Sequence, residues 1–261
     1  MRRSIAVLIF ADLAFLLLLS LSGIVAFAGE VLYFLAFIFP IALGLAFAVK
    51  DAEAGSVAVR KERLLPSLAL FAPTLLLIIG ISAITSYLLA LFGKSNVTDV
   101  SGNLWAELFR HALLPAVLEE LLFRFIPMKL LGKRSPRAFM IVSPLLFALI
   151  HLNVFQIPYA LFAGVALAFL TLATGSILPA ILLHLINNTL SVIWMRNPDL
   201  TLPIIIVISV LAAISLGFIF IRRREYSEWI RDVSCGDRIG ACPELVAATV
   251  VMLAAAILNL R

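Results

Sequence analysis

Charge is what this sequence has least of. Only 13% of its 261 residues are Asp, Glu, Lys or Arg, about half the usual share of a soluble domain. With 63% apolar residues and a mean hydropathy of +1.14, the chain cannot cover itself with polar surface in water, so lipid must solvate most of it. Cysteine is almost absent. Cys235 and Cys242 are too few for a disulfide scaffold and lack the spacing and neighbouring histidines of a zinc site, so they read as thiols in a reducing compartment. No internal repeat appears, and no linker marks a second soluble domain.

The net charge of +5 invites a nucleic-acid reading, but its distribution excludes one. The basic residues fall in short clusters between apolar runs, at Arg2-Arg3, Arg60 to Arg63, Lys129 to Arg137 and Arg222 to Arg224. No basic stripe is interleaved with aromatics. Such clusters set membrane orientation. With a cytoplasmic N-terminus, the segments 50–64, 129–137 and 222–243 are cytoplasmic and hold most of the Lys and Arg. The opposite loops hold only Lys94 and Arg196. The expected localisation is a multi-pass protein of the cell membrane.

A membrane helix needs about 20 mostly apolar residues. That criterion predicts spans near 5–28, 31–49, 65–93, 104–128, 138–154, 156–173, 175–195 and 201–221, with a short ninth candidate at 244–260. The expected fold class is therefore all-α, a polytopic transmembrane helix bundle of eight or nine spans. It divides into N-terminal helices (1–103), a core carrying the polar residues (104–195) and C-terminal helices with a polar cytoplasmic loop (196–261). The first run, ending in Ala26-Phe27-Ala28, resembles a cleavable signal peptide, but its apolar stretch exceeds the usual length and a retained helix is favoured. Asn96-Val97-Thr98 matches a glycosylation sequon.

A few residues do not belong in lipid. The fourth span carries Glu119, Glu120 and Arg124. A central charge costs about 2.5–3.5 kcal/mol on the insertion scale, so three would together cost on the order of 8–10 kcal/mol if unpaired, comparable to the stability of a typical fold. Glu120 and Arg124, at i,i+4, share a face and can pair. Glu119 is rotated by about 100° and is left available to neighbouring helices. Pro115 is expected to bend this helix and free a carbonyl. Two of the three histidines, His151 and His184, also fall inside spans, with Asn188 one turn beyond His184. His111 and Asp12 lie towards span ends and read as interfacial. A lone buried histidine is most often a hydrogen-bonded packing residue. A free acid, two imidazoles and an amide at similar depth make a functional site the better reading.

These residues form three motifs in order: Glu119-Glu120-Leu121-Leu122-Phe123-Arg124 (EExxxR), Phe147 to His151 (FxxxH) and His184 to Asn188 (HxxxN). Together, over roughly 104–195, they resemble the CAAX protease and bacteriocin-processing family, which includes the type II CAAX prenyl endopeptidases. Gly175 to Pro179 resembles that family's approach to its last motif. Phe125 stands where bacterial members often carry glycine. The resemblance implies an intramembrane endopeptidase with catalytic residues Glu119, His151, His184 and Asn188, supported by Glu120 and Arg124. Glu119 would activate water, His151 would help to hold it, and His184 with Asn188 would stabilise the oxyanion. No serine or cysteine stands among them as a nucleophile. No cofactor is required on this reading. Zinc on Glu119, His151 and His184 is the alternative, although the sequence lacks the His-Glu-x-x-His pattern. The implied partners are a membrane-associated protein or peptide substrate and the lipid bilayer, with no nucleic acid. Rival readings are a proton- or ion-coupled transporter and a non-catalytic membrane scaffold. A transporter commonly shows two related halves with broken helices, whereas here the motifs fall in one block.

Overall fold

The computed structural model describes residues 1–24, 29–50, 57–92, 102–234 and 243–258. The sequon at Asn96, the Ala26 to Ala28 stretch and both cysteines lie outside the described residues. Among those described there is no strand. The helices are α1 (Arg2–Ile24), α2 (Gly29–Lys50), α3 (Lys61–Ser67), α4 (Phe71–Ala90), α5 (Leu104–Glu107), α6 (Leu114–Glu120), α7 (Pro136–Leu149), α8 (Ile157–Thr174), α9 (Leu178–Arg196), α10 (Thr201–Ile221), α11 (Arg223–Ser234) and α12 (Pro243–Leu258). Six helical runs among the described residues are long and apolar enough to cross a membrane, including Lys61–Ala90, which joins α3 and α4. The protein is an all-α integral membrane bundle.

The remaining membrane-embedded elements are shorter or less regular than the sequence pattern predicts, and these carry the polar residues. Residues 104–132 form one nearly continuous helical run in which α5 and α6 alternate with π-helical segments at Leu108–Leu113, Leu121–Phe125 and Met128–Gly132. Two prolines give a cause. Pro115 and Pro127 lack the N–H that residues 111 and 123 would use as their α-helical partner, so the ladder must widen or find other donors. For Phe123 another donor exists: the buried Ser143 hydroxyl of α7 donates to the Phe123 carbonyl at 2.5 Å. This bond ties α7 to the motif helix just beyond the acidic pair.

α7 has 14 residues, roughly 21 Å at the α-helical rise and short of the ~30 Å hydrocarbon core. Ser135 caps its start by accepting from the Ala138 amide at 3.1 Å, and Pro136 occupies the first turn. It stops at Leu149, so His151 lies in the turn after the helix and not within a span reaching residue 154. Leu152 adopts a left-handed backbone (φ 45°), and Asn153 accepts from the Phe155 amide at 2.9 Å, which together reverse the chain into α8.

Gly175 ends α8 with φ 70°. A Cβ there would run into the Ala58 carbonyl oxygen, which belongs to the strap whose Arg60 amide bonds Thr174 O at 2.8 Å. α1 and α2 pack along each other and against the motif helix through Phe15, whose ring lies 4.8 Å from Phe37 and 6.4 Å from Phe123. Asp12 corrects the expectation of an interfacial carboxylate. It is 2% exposed, and neither oxygen has a hydrogen-bond partner among the described residues.

Candidate active site

Glu119 and Glu120 occupy the last turn of α6, immediately before the π segment at Leu121–Phe125. Adjacent positions point in different directions, and the two carboxylates meet different surroundings. Glu120 is wholly buried, as is Arg124. Glu120 Oε1 lies 3.1 Å from Arg124 Nη1 and 2.8 Å from His184 Nδ1. The expected i,i+4 pair is therefore present, and the same carboxylate oxygen also anchors an imidazole 64 residues away. His184 thus turns Nδ1 to Glu120 and Nε2 to the other acid. Glu119 Oε2 lies 3.8 Å from that Nε2.

Phe147 is the hub that the sequence reading missed. It was legible there only as the first letter of FxxxH. Its ring packs edge-on against His151 at 5.2 Å, His184 at 5.6 Å and Phe123 at 5.8 Å. The Arg124 guanidinium sits over its face, 4.1 Å from the centroid. This contact explains how a buried arginine persists although its N–H groups are poorly aligned on Glu120: the ring's negative face takes up part of its charge. The Phe147 carbonyl, left orphaned near the end of α7, lies 2.9 Å from His151 Nδ1. Donation from Nδ1 fixes that ring and leaves its Nε2 free.

Glu119, His151, His184 and Asn188 all line one cavity of about 310 Å³, at the lower end of the range for ligand sites. Asn187, Gln156 and Tyr159 line it too; Asn187 stands out in the sequence as a polar residue inside a span beside Asn188, while Gln156 and Tyr159 carry no motif spacing. Asn188 Oδ1 accepts from Asn187 Nδ2 at 3.2 Å, leaving its own amide N–H groups available. Ala160, Ala163, Leu167 and Leu183 supply an apolar wall. Gly164 lets α8 approach, since a Cβ there would sit 3.0 Å from Pro144 Cα and 3.2 Å from the Phe147 ring.

Among the described residues no group of three or more His, Cys, Asp or Glu side chains is arranged to hold a metal ion. His184 Nδ1 faces Glu120 and His151 Nδ1 a backbone carbonyl, outer contacts that a metal-binding imidazole also commonly makes.

The fold and site define a class: a multi-pass helical membrane protein with an acid, two imidazoles and an amide gathered in a buried cavity. Residues 100–190 match the family model described as Type II CAAX prenyl endopeptidase Rce1-like, so the family resemblance carried by the three motifs holds over that segment, roughly a third of the chain. Comparison with curated proteins and with solved structures gave no match.

Proposed function

We propose that this chain is an intramembrane endopeptidase that hydrolyses a peptide bond by direct attack of water. The observation that carries the reading is the relay Glu119–His184–Glu120. One carboxylate faces the cavity 3.8 Å from His184 Nε2, while the other holds His184 from behind at 2.8 Å.

Amide hydrolysis needs an activated water, a donor for the developing oxyanion and a proton for the leaving amine. Glu119 takes the proton from water lodged between it and the imidazoles, then delivers it to the leaving nitrogen. His151, with Nδ1 occupied, offers Nε2 as an acceptor that orients this water. The Asn188 amide donates to the carbonyl oxygen as it gains charge, and such donors are worth more where bulk water is scarce. His184, held from behind by Glu120, keeps its Nε2 facing Glu119 and the water. Arg124 pairs with Glu120 and so holds the carboxylate that anchors His184. No step requires a metal. Ser143 is not a nucleophile, because its hydroxyl is spent on Phe123 O.

The family description names prenyl endopeptidases. The apolar wall of Leu167, Leu183 and Ile78 is compatible with a lipid-modified or otherwise apolar segment beside the scissile bond.

The test is mass spectrometry of membrane-associated peptides from cells with the wild-type chain, the Glu119→Ala variant or neither. Peptides that require both the chain and Glu119 support the peptidase. Identical peptide sets at equal expression overturn it and favour a scaffold. A difference only in solute uptake favours a transporter.

A further inference from the structure

The cavity has an orientation. The basic segments meet at one end of the bundle. Arg60 and Arg63 donate to the Ala173 carbonyl at 3.3 and 3.2 Å, Arg63 pairs with Asp232 at 2.8 Å, and Arg137 donates to Ser234 O at 3.0 Å. Gly132 lies against Val57 and Leu172, which brings 129–137 to the same end. By the preference of Lys and Arg for the cytoplasmic side, this end is cytoplasmic.

No cavity-lining residue comes from that end. Between the site and the basic end the motif helix and α7 interpose a dry layer: Phe123, Ile126, Leu130, Phe139 and Val142 are each at most 3% exposed. The lining runs the other way. On the motif helix it follows Glu107, His111, Pro115 and Glu119, one stripe at i,i+4 spacing. On α9 it follows His184, Asn188, Ser191 and Met195. Exposure rises along the α9 stripe, from 6% at His184 to 48% at Met195, and on the motif helix the side chain of His111 is 57% exposed. Glu107 and His111 pair at the rim, 3.2 Å apart.

We propose that the site is entered from the end opposite the basic cluster, the extracytoplasmic face. Its occupant is an extended peptide segment lying between the two stripes, with the Glu107–His111 pair contacting it near the mouth. Glu107 to Glu119 is twelve residues, about 18 Å of helix, which matches roughly five residues of extended chain. The substrate class is then a membrane protein or peptide whose scissile bond lies about five residues inside the outer boundary of its apolar segment. The identity of the occupant rests on the peptidase reading; the side of entry does not.

Cysteine accessibility tests the entry side. Cys235 and Cys242 are replaced by serine, and single cysteines are introduced by Ser191→Cys and Met195→Cys on the α9 stripe. Lys133→Cys marks the basic end, and Leu216→Cys the lipid-facing side of α10. The probe is a sulfonated, membrane-impermeant maleimide applied to sealed and to permeabilised cells. Met195→Cys and Ser191→Cys label in sealed cells, Lys133→Cys labels only after permeabilisation, and Leu216→Cys labels in neither. Labelling of the α9 positions only after permeabilisation overturns the proposal, as does their failure to label in either state while Lys133→Cys reacts. Outside labelling without any Glu119-dependent peptide leaves the entry side standing and defeats the peptidase. Glu119-dependent cleavage sites mapping to cytoplasmic segments retain the peptidase and defeat the entry side.

Discussion

Glu120 and His184 meet at 2.8 Å across two helices, so the more deeply buried of two adjacent acids anchors the imidazole that faces the other. The arrangement divides labour by burial. Glu120, wholly enclosed with Arg124, is unavailable to substrate, while Glu119 borders the cavity.

Glu120→Gln is the sharpest probe of that division. The amide keeps the shape but removes the carboxylate that faces His184 Nδ1. Cleavage of the Glu119-dependent peptides should fall on the order of 10²–10⁴-fold, as for other losses of a general acid–base partner or its orienting carboxylate. Expression and thermal stability in detergent should change little. A variant cleaving within a few-fold of wild type would remove Glu120 from the mechanism.

Arg124→Met should be costly by itself, because it leaves the Glu120 carboxylate buried without its cation. Breaking one side of such a pair costs about 3–5 kcal/mol. Combining Arg124→Met with Glu120→Gln should recover much of that loss without restoring activity. A double-variant cycle on melting temperature in detergent measures the coupling, and simple additivity would show that the 3.1 Å contact carries no stabilisation.

Phe147→Leu should separate packing from electrostatics. Leucine fills much of the space at an expected cost of about 1–2 kcal/mol from repacking and the lost cation–π contact. Phe147→Ala should cost about 3–5 kcal/mol. Both remove the edge that His151 and His184 share, so activity should fall further than stability in the leucine variant. Thermal melts paired with peptide cleavage rates read the difference.

Two glycines should respond with opposite sign. Gly175→Ala places a Cβ against the Ala58 carbonyl at φ 70° and should lower the melting temperature. Gly80, inside α4, has nothing within 4 Å of a built Cβ. Alanine there should be neutral or stabilise by about 0.5–1 kcal/mol through helix propensity. Equal effects at the two positions would contradict the α8 terminus described here.

Much of the architecture was written in hydropathy. Lipid leaves a backbone few solutions besides helix, so long apolar runs such as 157–174 and 201–221 were readable as membrane helices without knowledge of their neighbours. Length and regularity were harder. Nothing in the apolar run 138–154 announces that α7 stops at Leu149, because a turn set by Leu152 and Asn153 looks much like more helix in composition. The π segments follow from Pro115 and Pro127 together with a donor, Ser143, that only packing supplies.

The sequence by itself determined that lipid is the solvent, that Glu120 and Arg124 share a face, and that Glu119, His151, His184 and Asn188 are polar groups costly to leave in hydrocarbon. These follow from composition and from a helical period fixed by backbone geometry. Only the tertiary structure decided that Glu120 reaches His184, that Phe147 holds both imidazoles and the arginine together, that Asp12 is sealed in the interior, and on which side of the site the cavity lies. Those are contacts between segments far apart in the chain, and local spacing carries no record of how separate helices approach and rotate against one another.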